Sequence, residues 1–315
     1  MKFSVIVCTY NYAHLLPDAL RTLAAQTFQD FELLIVDDGS TDSTGEVVQE
    51  FAPQFRQCRY LQKPHTGLAD SRNFGIQAAT GTHLAYLDAD DLWSPNYLDA
   101  VRRIFEEVPQ AELVCCDGYR ASNSGEITGT IYPPHLPLVK GPILTISDLF
   151  LFFRYSYPSG TSLIKSLYQR IGNYDVRFPV GHDQHWVIRA AQNGAFCIRL
   201  DRSLYLYVQH QASLIGSTPI DKRFDEWLSI CCDVFGSTME DPEIRKSTRT
   251  LTYRWLPRLL SAYDASTNRH LIKRAMKVHG RDLILTISYL LTYMGLCPLA
   301  RSVLFRGLQD FKHES

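Results

Sequence analysis

Three carboxylates crowd the end of one short apolar stretch of this 315-residue chain, Leu87-Asp88-Ala89-Asp90-Asp91. On an extended backbone side chains alternate faces with period two, so Asp88 and Asp90 project to the same side. Like charges held together repel, and each raises the other's pKa unless something compensates them. A divalent cation is such a compensation. Mn2+ or Mg2+ is hard, prefers oxygen, and typically takes one or two carboxylates plus the phosphates of a substrate. The competing explanation is a helix cap, with Asp91 or Ser94 closing the start of a helix that Pro95 opens. A cap accounts for one acid and leaves the others without a reason.

Three further stretches carry residues of chemical interest. Val36–Thr44 (VDDGSTDST) puts Asp38 at the end of an apolar run, where a carboxylate can accept hydrogen bonds from a nucleobase or ribose. Gly39, Ser40 and Asp42 also spell a turn and a helix start, and the two uses involve different atoms. Gly67–Gly75 (GLADSRNFG) carries Arg72 on a helix, where its planar fork either pairs with phosphates or stays a solvated surface cation. Val180–Gly194 (VGHDQHWVIRAAQNG) begins as a turn and continues as a helix. Asp183 near its start is placed to act as a general base or as a plain cap.

The elements that must position these residues follow from the hydrophobic pattern. Residues 3–8 (FSVIVC) read as a buried strand, and Leu15, Leu16, Ala19, Leu20 and Leu23 then recur at helical spacing. FELLIVDDGS predicts a second buried strand running into Asp37 and Asp38, followed by a helix with Val47, Val48, Phe51 and Phe55 on one face. Further strands are predicted near Cys58–Gln62, over Thr82–Leu87 and at ELVCCDG. Helices are predicted over Leu68–Ala79 and from Ser94-Pro95 through Phe105. This alternation up to about residue 117 predicts an α/β fold with a doubly wound, mostly parallel central sheet. Ligands of such sheets sit beyond the carboxyl ends of the strands, where Thr9, Asp38 and Asp88 fall. The stretch 120–160 predicts a long loop bearing a helix at Ser147–Phe153; its Tyr132, Tyr155 and Tyr157 either shape an acceptor pocket or only cover the surface. Residues 160–215 return to mixed strand and helix, and beyond 220 the pattern is helical to the end.

Hydrophobic residues at 45% and charged residues at 21% suffice for a full core. Lys plus Arg (32) nearly cancels Asp plus Glu (33), for a formal charge of -1, so no basic footprint for nucleic acid exists. The eight cysteines contain no C-x-x-C and read as reduced, buried thiols. The apolar N-terminal stretch is too short for a signal sequence, which places the catalytic part in the cytoplasm. Residues 283–300 (LILTISYLLTYMGLCPLA) hold no charge and are flanked by Arg281, Arg301 and Arg306. As a helix they would span about 27 Å, marginal for the hydrocarbon core of a bilayer. A buried helix, an interfacial helix in peripheral contact with the cytoplasmic face of a membrane, and a single span all remain open.

Taken jointly and in order, SVIVCTYN, QTFQDFELLIVDDGSTDST, GLADSRNFGI, YLDADDLW, IGNYDVRF, GHDQHW and LYLYVQHQAS resemble glycosyltransferase family 2, over about residues 2–215. The resemblance implies a GT-A fold and an inverting, metal-dependent transfer of a sugar from a nucleotide donor, by default a UDP-sugar with GDP or dTDP open. The acceptor would be a glycan or lipid-linked hydroxyl, in polysaccharide or cell-envelope synthesis. It implies a catalytic domain over 1–215, with a nucleotide-binding half (1–117) and an acceptor or catalytic half (118–215), before a helical region over 216–315. Thr9 and Tyr10 would line the nucleotide pocket, Asp38 would contact the base, and Arg72 would lie near the donor. Asp88 and Asp90 occupy the D-x-D positions that hold Mn2+ or Mg2+, and Asp183 matches the catalytic base. Two departures stand out. His182 replaces the Glu that precedes this base, and His185 is near enough to leave a histidine base open. His210 stands in Tyr207-Val208-Gln209-His210 without the Arg usual there, as an extra metal or phosphate ligand or as an ordinary histidine. A dehydrogenase is excluded because CTYNYAH lacks the Gly-x-Gly-x-x-Gly turn. A nucleotidyltransferase would want a glycine-rich basic N-terminal loop, and a processive synthase would want Gln where Leu251 stands before Arg254-Trp255. The non-catalytic alternative is a sugar-nucleotide or glycan-binding module, against which the intact Asp88, Asp90 and Asp183 speak.

Overall fold

The computed structural model describes residues 1–122, 125–131, 140–142, 157–236, 241–242, 244, 248–249, 252, 259–279, 285, 288–289 and 292. The helix expected at 147–153, Tyr132, Tyr155 and nearly all of 283–300 lie outside these. Among the described residues no helix is long and apolar enough to cross a membrane.

The described strands are β1 (Phe3–Thr9), β2 (Phe31–Asp37), β3 (Cys58–Gln62), β4 (His83–Tyr86), β5 (Leu92–Trp93), β6 (Leu113–Ser122), β7 (Ile127–Thr130), β8 (Lys140–Pro142), β9 (Thr161–Ile164) and β10 (Phe196–Gln209). They join in one sheet of order β3-β2-β1-β4-β9-β6-β10-β5, with β7 on β6 and β8 on β10. Strands β3, β2, β1 and β4 pair parallel with one another, and β6 pairs parallel with β10. Between these two parallel blocks lies β9, antiparallel to both β4 and β6. The sheet is thus mostly parallel, as the alternation predicted. The reversed strand was not foreseeable from local pattern, because its four residues arrive from far along the chain.

Helices α1 (Leu16–Ala24), α2 (Thr44–Phe51), α3 (Leu68–Ala78), α4 (Tyr97–Glu107), α5 (Lys165–Ile171) and α6 (His182–Gln192) cover the sheet's connections. Strands β1 and β2 are buried along their whole length, which is why both read as unbroken apolar runs. Helix α1 buries Leu16, Ala19, Leu20 and Leu23, the stripe its spacing predicts. Helix α4 begins at Tyr97, later than Ser94-Pro95 suggested, and neither Asp91 nor Ser94 caps it. Its first turn is served from a distance. The Gln26 carboxamide accepts the Leu98 N–H at 3.1 Å and donates to the Ser94 carbonyl at 2.8 Å.

The chain runs outward from β1 through β2 to β3, then crosses back to β4 on the other side of β1. This reversal opens a crevice beyond the carboxyl ends of β1 and β4. A helix following a parallel strand runs back along the sheet, so the N-terminal turns of α3 sit at this same edge. Close packing holds α3 there: a Cβ on Gly75 would lie 2.8 Å from Ile6 Cγ2 and 3.0 Å from Val36 Cγ2.

The chain divides into two compact units, Met1–Ser217 and Thr218–Ser315. In the second, α7 (Ile220–Phe235) packs on α8 (Ala265–His279). Helix α7 buries Phe224, Trp227, Leu228, Ile230, Cys231 and Phe235. Tyr263 donates to Asp221 at 2.7 Å, and Arg274 pairs with Asp225 at 2.5 Å.

At the sheet edge opposite the crevice, the buried Glu32 carboxylate is a staple. Its Oε1 accepts from Ser4 Oγ (2.5 Å), the Thr80 N–H (2.5 Å), Thr80 Oγ1 (2.8 Å) and the Gly81 N–H (3.1 Å). Burial alone would raise its pKa, but these donors outweigh it and the net shift is downward. A carboxylate whose folded pKa lies below its unfolded one stabilises the fold above about pH 4.3, and loses that contribution as pH falls through the folded value. Glu32→Ala is expected to cost about 2–4 kcal/mol in urea unfolding at pH 7, since it strands several buried donors. Glu32→Gln should cost less and flatten the acid side of the stability profile; an unchanged profile in Glu32→Gln contradicts the assignment.

Candidate active site

At the crevice, Arg72 is the organising group. It sits in the second turn of α3 and is only 3% exposed. Its Nη2 donates to Asp88 Oδ1 at 2.6 Å, and its Nη1 lies 2.6 Å from His182 Nε2. The solvated-cation alternative for Arg72 is therefore removed. A guanidinium only donates, so His182 Nε2 must be an acceptor; its Nδ1 faces the Pro179 carbonyl at 3.2 Å and must carry the proton. The ring is neutral, and both burial and the Arg72 charge push its pKa well down. With its lone pair committed to Arg72, His182 is not available as a base. His185, one turn later on α6, is buried and packs on Phe178 with ring centroids 4.6 Å apart.

Asp183 follows His182 at the start of α6. The Gln184 N–H reaches its Oδ1 at 2.8 Å. Burial raises its pKa, the Arg72 charge opposes this, the Asp88 charge adds to it, and the carboxyl is pushed up to about 6. Asp183 lines a small cavity with Tyr86, Thr161, Tyr174 and Trp186. The loop before α6 is docked to α3 by Asn73. Its amide donates to the Tyr174 carbonyl and accepts the Tyr174 N–H, both at 2.9 Å, as a neighbouring strand would.

The three acids after β4 separate by partner. Asp91 is buried: its Oδ2 accepts from Ser159 Oγ at 2.6 Å and its Oδ1 accepts the Val208 N–H at 3.0 Å. The Ser159 hydroxyl also accepts the Asp88 N–H at 3.1 Å, and the Ser159 carbonyl takes the Trp93 indole N–H at 2.6 Å. Asp91 therefore ties the acidic loop to β10 and to the turn before β9. Asp90 Oδ2 lies 3.0 Å from His210 Nε2. Burial and then the Asp88 charge raise the Asp90 pKa, against the opposing pull of His210. Tyr12 holds this pair from the β1 side: its ring meets His210 edge-on at 5.9 Å, and its hydroxyl donates to the Ala212 carbonyl at 3.2 Å. Asp88 and Asp90 thus turn to different partners, and among the described residues their carboxylate oxygens and the His210 ring do not gather within 4.8 Å of one another as a three-ligand set. His210 has no signal in periodicity; only its place after Tyr207 suggested it.

On the other flank, Thr9 ends β1 with its hydroxyl buried and no partner among the described residues. Tyr10 is 42% exposed and stacks on His65 with ring centroids 4.0 Å apart. Asp38 is buried and densely bonded. Its Oδ1 accepts from Lys63 Nζ (2.5 Å) and the Thr66 N–H (3.0 Å), and its Oδ2 accepts the Gly67 N–H (2.8 Å) and faces His65 Nδ1 (2.8 Å). Burial works against its charge, yet the Lys63 and backbone donors prevail and its pKa falls. Lys63, His65, Asn73 and Ser159 went unmarked in the sequence because each acts on a residue distant in the chain. Asn11, whose φ is 55°, went unmarked as well: its side chain accepts the Thr41 N–H at 2.8 Å and locks the loop after β2.

A family model described as glycosyl transferase family 2 matches residues 4–174. A PGL/p-HBAD biosynthesis glycosyltransferase of Mycobacterium tuberculosis is 31% identical over 228 residues, 70% of this chain and 82% of the relative. An uncharacterised glycosyltransferase of Nostoc sp. is 42% identical over 109 residues, 34% of this chain, and the chain spans only 33% of its length. Among solved structures, Staphylococcus aureus TarS 1–349 in complex with UDP-GlcNAc superposes with a TM-score of 0.68 at 18% identity, over 100% of this chain and 93% of that one. The mannosyltransferase PcManGT of Pyrobaculum calidifontis, in complex with GDP-Man and Mn2+, gives 0.57 at 18% identity, over 96% and 84%. At such identities these likenesses speak for the fold, which is the expected GT-A arrangement.

The different partners of the acids have measurable consequences. Ser159→Ala is expected to cost about 1–3 kcal/mol of stability, because it strips a donor from Asp91 and an acceptor from the Asp88 N–H. Asp90→Asn should leave the thermal midpoint equal or higher, since the fold disfavours the charge at that position. A midpoint loss in Asp90→Asn as large as that in Ser159→Ala overturns this division.

Proposed function

Since this chain belongs to glycosyl transferase family 2, we propose that it transfers a sugar from a nucleotide-diphosphate donor to an acceptor hydroxyl, with inversion at the anomeric carbon. The observation that carries the reading is the pairing of a buried Arg72 with Asp88, next to an Asp183 carboxyl pushed up to about 6. A fixed positive charge, here the Arg72 guanidinium, and a base poised near neutral pH are the needs of a reaction that displaces a diphosphate with a hydroxyl.

In this reading the first half of the catalytic domain (1–117) binds the nucleotide, and the second half (118–215) supplies the base and receives the acceptor. The unpartnered Thr9 hydroxyl and the exposed Tyr10 ring line the nucleotide pocket, with Asp38 behind them at the base. UDP is the first choice of nucleotide, in keeping with the UDP-GlcNAc of TarS, and GDP is the second, in keeping with PcManGT. Asp88, Asp90 and His210 would hold Mn2+ or Mg2+, which when bound neutralises charge on the leaving diphosphate. Arg72 adds its own positive charge at the same corner. Asp183 takes the proton of the acceptor hydroxyl as that oxygen attacks from the face opposite the leaving group. One in-line displacement suffices, and no covalent sugar intermediate on the chain is needed. A glycan or lipid-linked acceptor, as in cell-envelope polysaccharide synthesis, fits the family. Residues 283–300 are then the part of the chain that would meet a membrane surface on its cytoplasmic side.

A thermal-shift screen of UDP-, GDP- and dTDP-sugars with Mn2+ identifies the donor, because a ligand that binds only the folded state raises its melting temperature. With that donor, hydrolysis or transfer is expected to rise with pH through about 6 and stay level above, since the base acts only when deprotonated. Asp183→Asn should lower turnover by about 10²–10⁴-fold and abolish this limb while donor affinity persists. Turnover near that of the parent protein removes Asp183 as the base. Asp90→Ala should weaken metal-dependent donor binding; activity in the parent protein that is indifferent to chelation contradicts the D-x-D assignment.

A further inference from the structure

The partner chosen for Arg72 on its second side has a consequence of its own. The guanidinium is buried between one acceptor that is charged, Asp88, and one that is not, the His182 imidazole. The Pro179 carbonyl and Arg72 together hold that imidazole in a single neutral tautomer, and the Tyr174 ring closes on it edge-to-face with centroids 5.5 Å apart. A carboxylate could satisfy the same guanidinium N–H equally well. It would also add a negative charge to a corner that already contains Asp88 and Asp183. We infer that His182 is a positioning residue: it fixes the Arg72 fork through a neutral acceptor, so that the guanidinium keeps its positive charge for an anionic diphosphate and for Asp183. This inference rests on the donor class proposed above.

Two effects follow from the charge count. With a neutral partner at 182, the ionisable groups that meet at the corner are Arg72 from α3, Asp88 from the loop after β4, Asp183 from α6, the buried thiol of Cys8 from β1, and the tyrosines Tyr86 and Tyr174. A second carboxylate on Arg72 would offset the attraction for phosphate. It would also sit one residue from Asp183 and oppose its ionisation. His182 therefore bears on both donor affinity and the pH at which the base becomes available, although it need touch neither donor nor acceptor.

The test uses the isosteric pair His182→Gln and His182→Glu in the full chain, with the sugar nucleotide that the parent protein binds. The Gln side chain offers a neutral acceptor and the Glu side chain a charged one, so a role in packing alone affects both alike. His182→Gln is expected to keep the donor dissociation constant, measured by calorimetry, within a few-fold of the parent. His182→Glu is expected to raise it about tenfold or more, and to move the acid limb of donor hydrolysis up by about one pH unit. If both variants fold and match each other in affinity and limb, the inference is overturned. If His182→Glu does not fold, His182→Ala with added imidazole decides. Turnover should fall in the variant and recover with imidazole near neutral pH, and an Ala variant with parental turnover and limb overturns the inference. A parent protein that binds and hydrolyses no sugar nucleotide overturns the functional reading instead, and the inference falls with it.

Discussion

The buried guanidinium of Arg72 is the constraint on which the rest of the site depends. Taking a cation out of water costs several kcal/mol, and only well-made partners offset it. Here the fork is divided between Asp88 and His182, whose chain positions lie 16 and 110 residues away. Three segments are thereby held at fixed distances: the second turn of α3, the loop after β4 and the first turn of α6. The position of α3 is in turn set by packing, because Gly75 lets the helix lie against Ile6 and Val36. A core contact of two apolar side chains thus decides where this buried cation stands.

Around this cation the carboxylates are sorted by what each one touches. Asp91 has no exposure to speak of and is bonded by Ser159 and Val208, so its part is architectural. Asp90 leans on His210, while Asp88 leans on Arg72. The Asp90 and Asp91 pKa values are raised first by burial and then by neighbouring acids. A fold that keeps such groups together disfavours their charged forms unless each finds a partner, which Asp91 does in Ser159 and Val208 and Asp90 in His210. Asp183 obeys the same rules at a greater remove, with burial and Asp88 raising it and Arg72 restraining it.

Much of this was legible from local pattern. The strands over 3–9, 31–37, 58–62 and 83–86 and the helix over 68–78 coincide with the expected runs, because buried parallel strands and one-faced helices leave strong periodic marks. The acids of Leu87–Asp91 and the arginine of Gly67–Gly75 announced themselves by type and place. What was not legible is whatever depends on distant pairing. The reversed β9 lies between β4 and β6 although it comes after both. The cap of α4 is a glutamine some seventy residues earlier. The acid expected to close that helix, Asp91, faces the opposite direction, toward β10. His182 could be read as a departure from a motif, but its tautomer follows only from the Pro179 carbonyl and the Arg72 fork on its two sides.

The link between the Asp38 flank and the Arg72 flank is mechanical. Asp38 directly follows β2 and accepts from Lys63, Thr66 and Gly67, three residues of the loop that leads into α3. Gly67 is the last residue before that helix and takes a φ of 98°, which a side chain would resist. The same loop presents His65 to stack under Tyr10 at the pocket's edge. One carboxylate therefore sets both the loop whose His65 stacks on Tyr10 and the starting point of the helix that carries Arg72. A ligand edge that draws on Asp38 must share its oxygens with the N–H groups of Thr66 and Gly67. Five residues of helix separate Gly67 from the guanidinium. The setting of the loop under Tyr10 and the placement of the Arg72 guanidinium are then parts of one connected arrangement, not two independent ones.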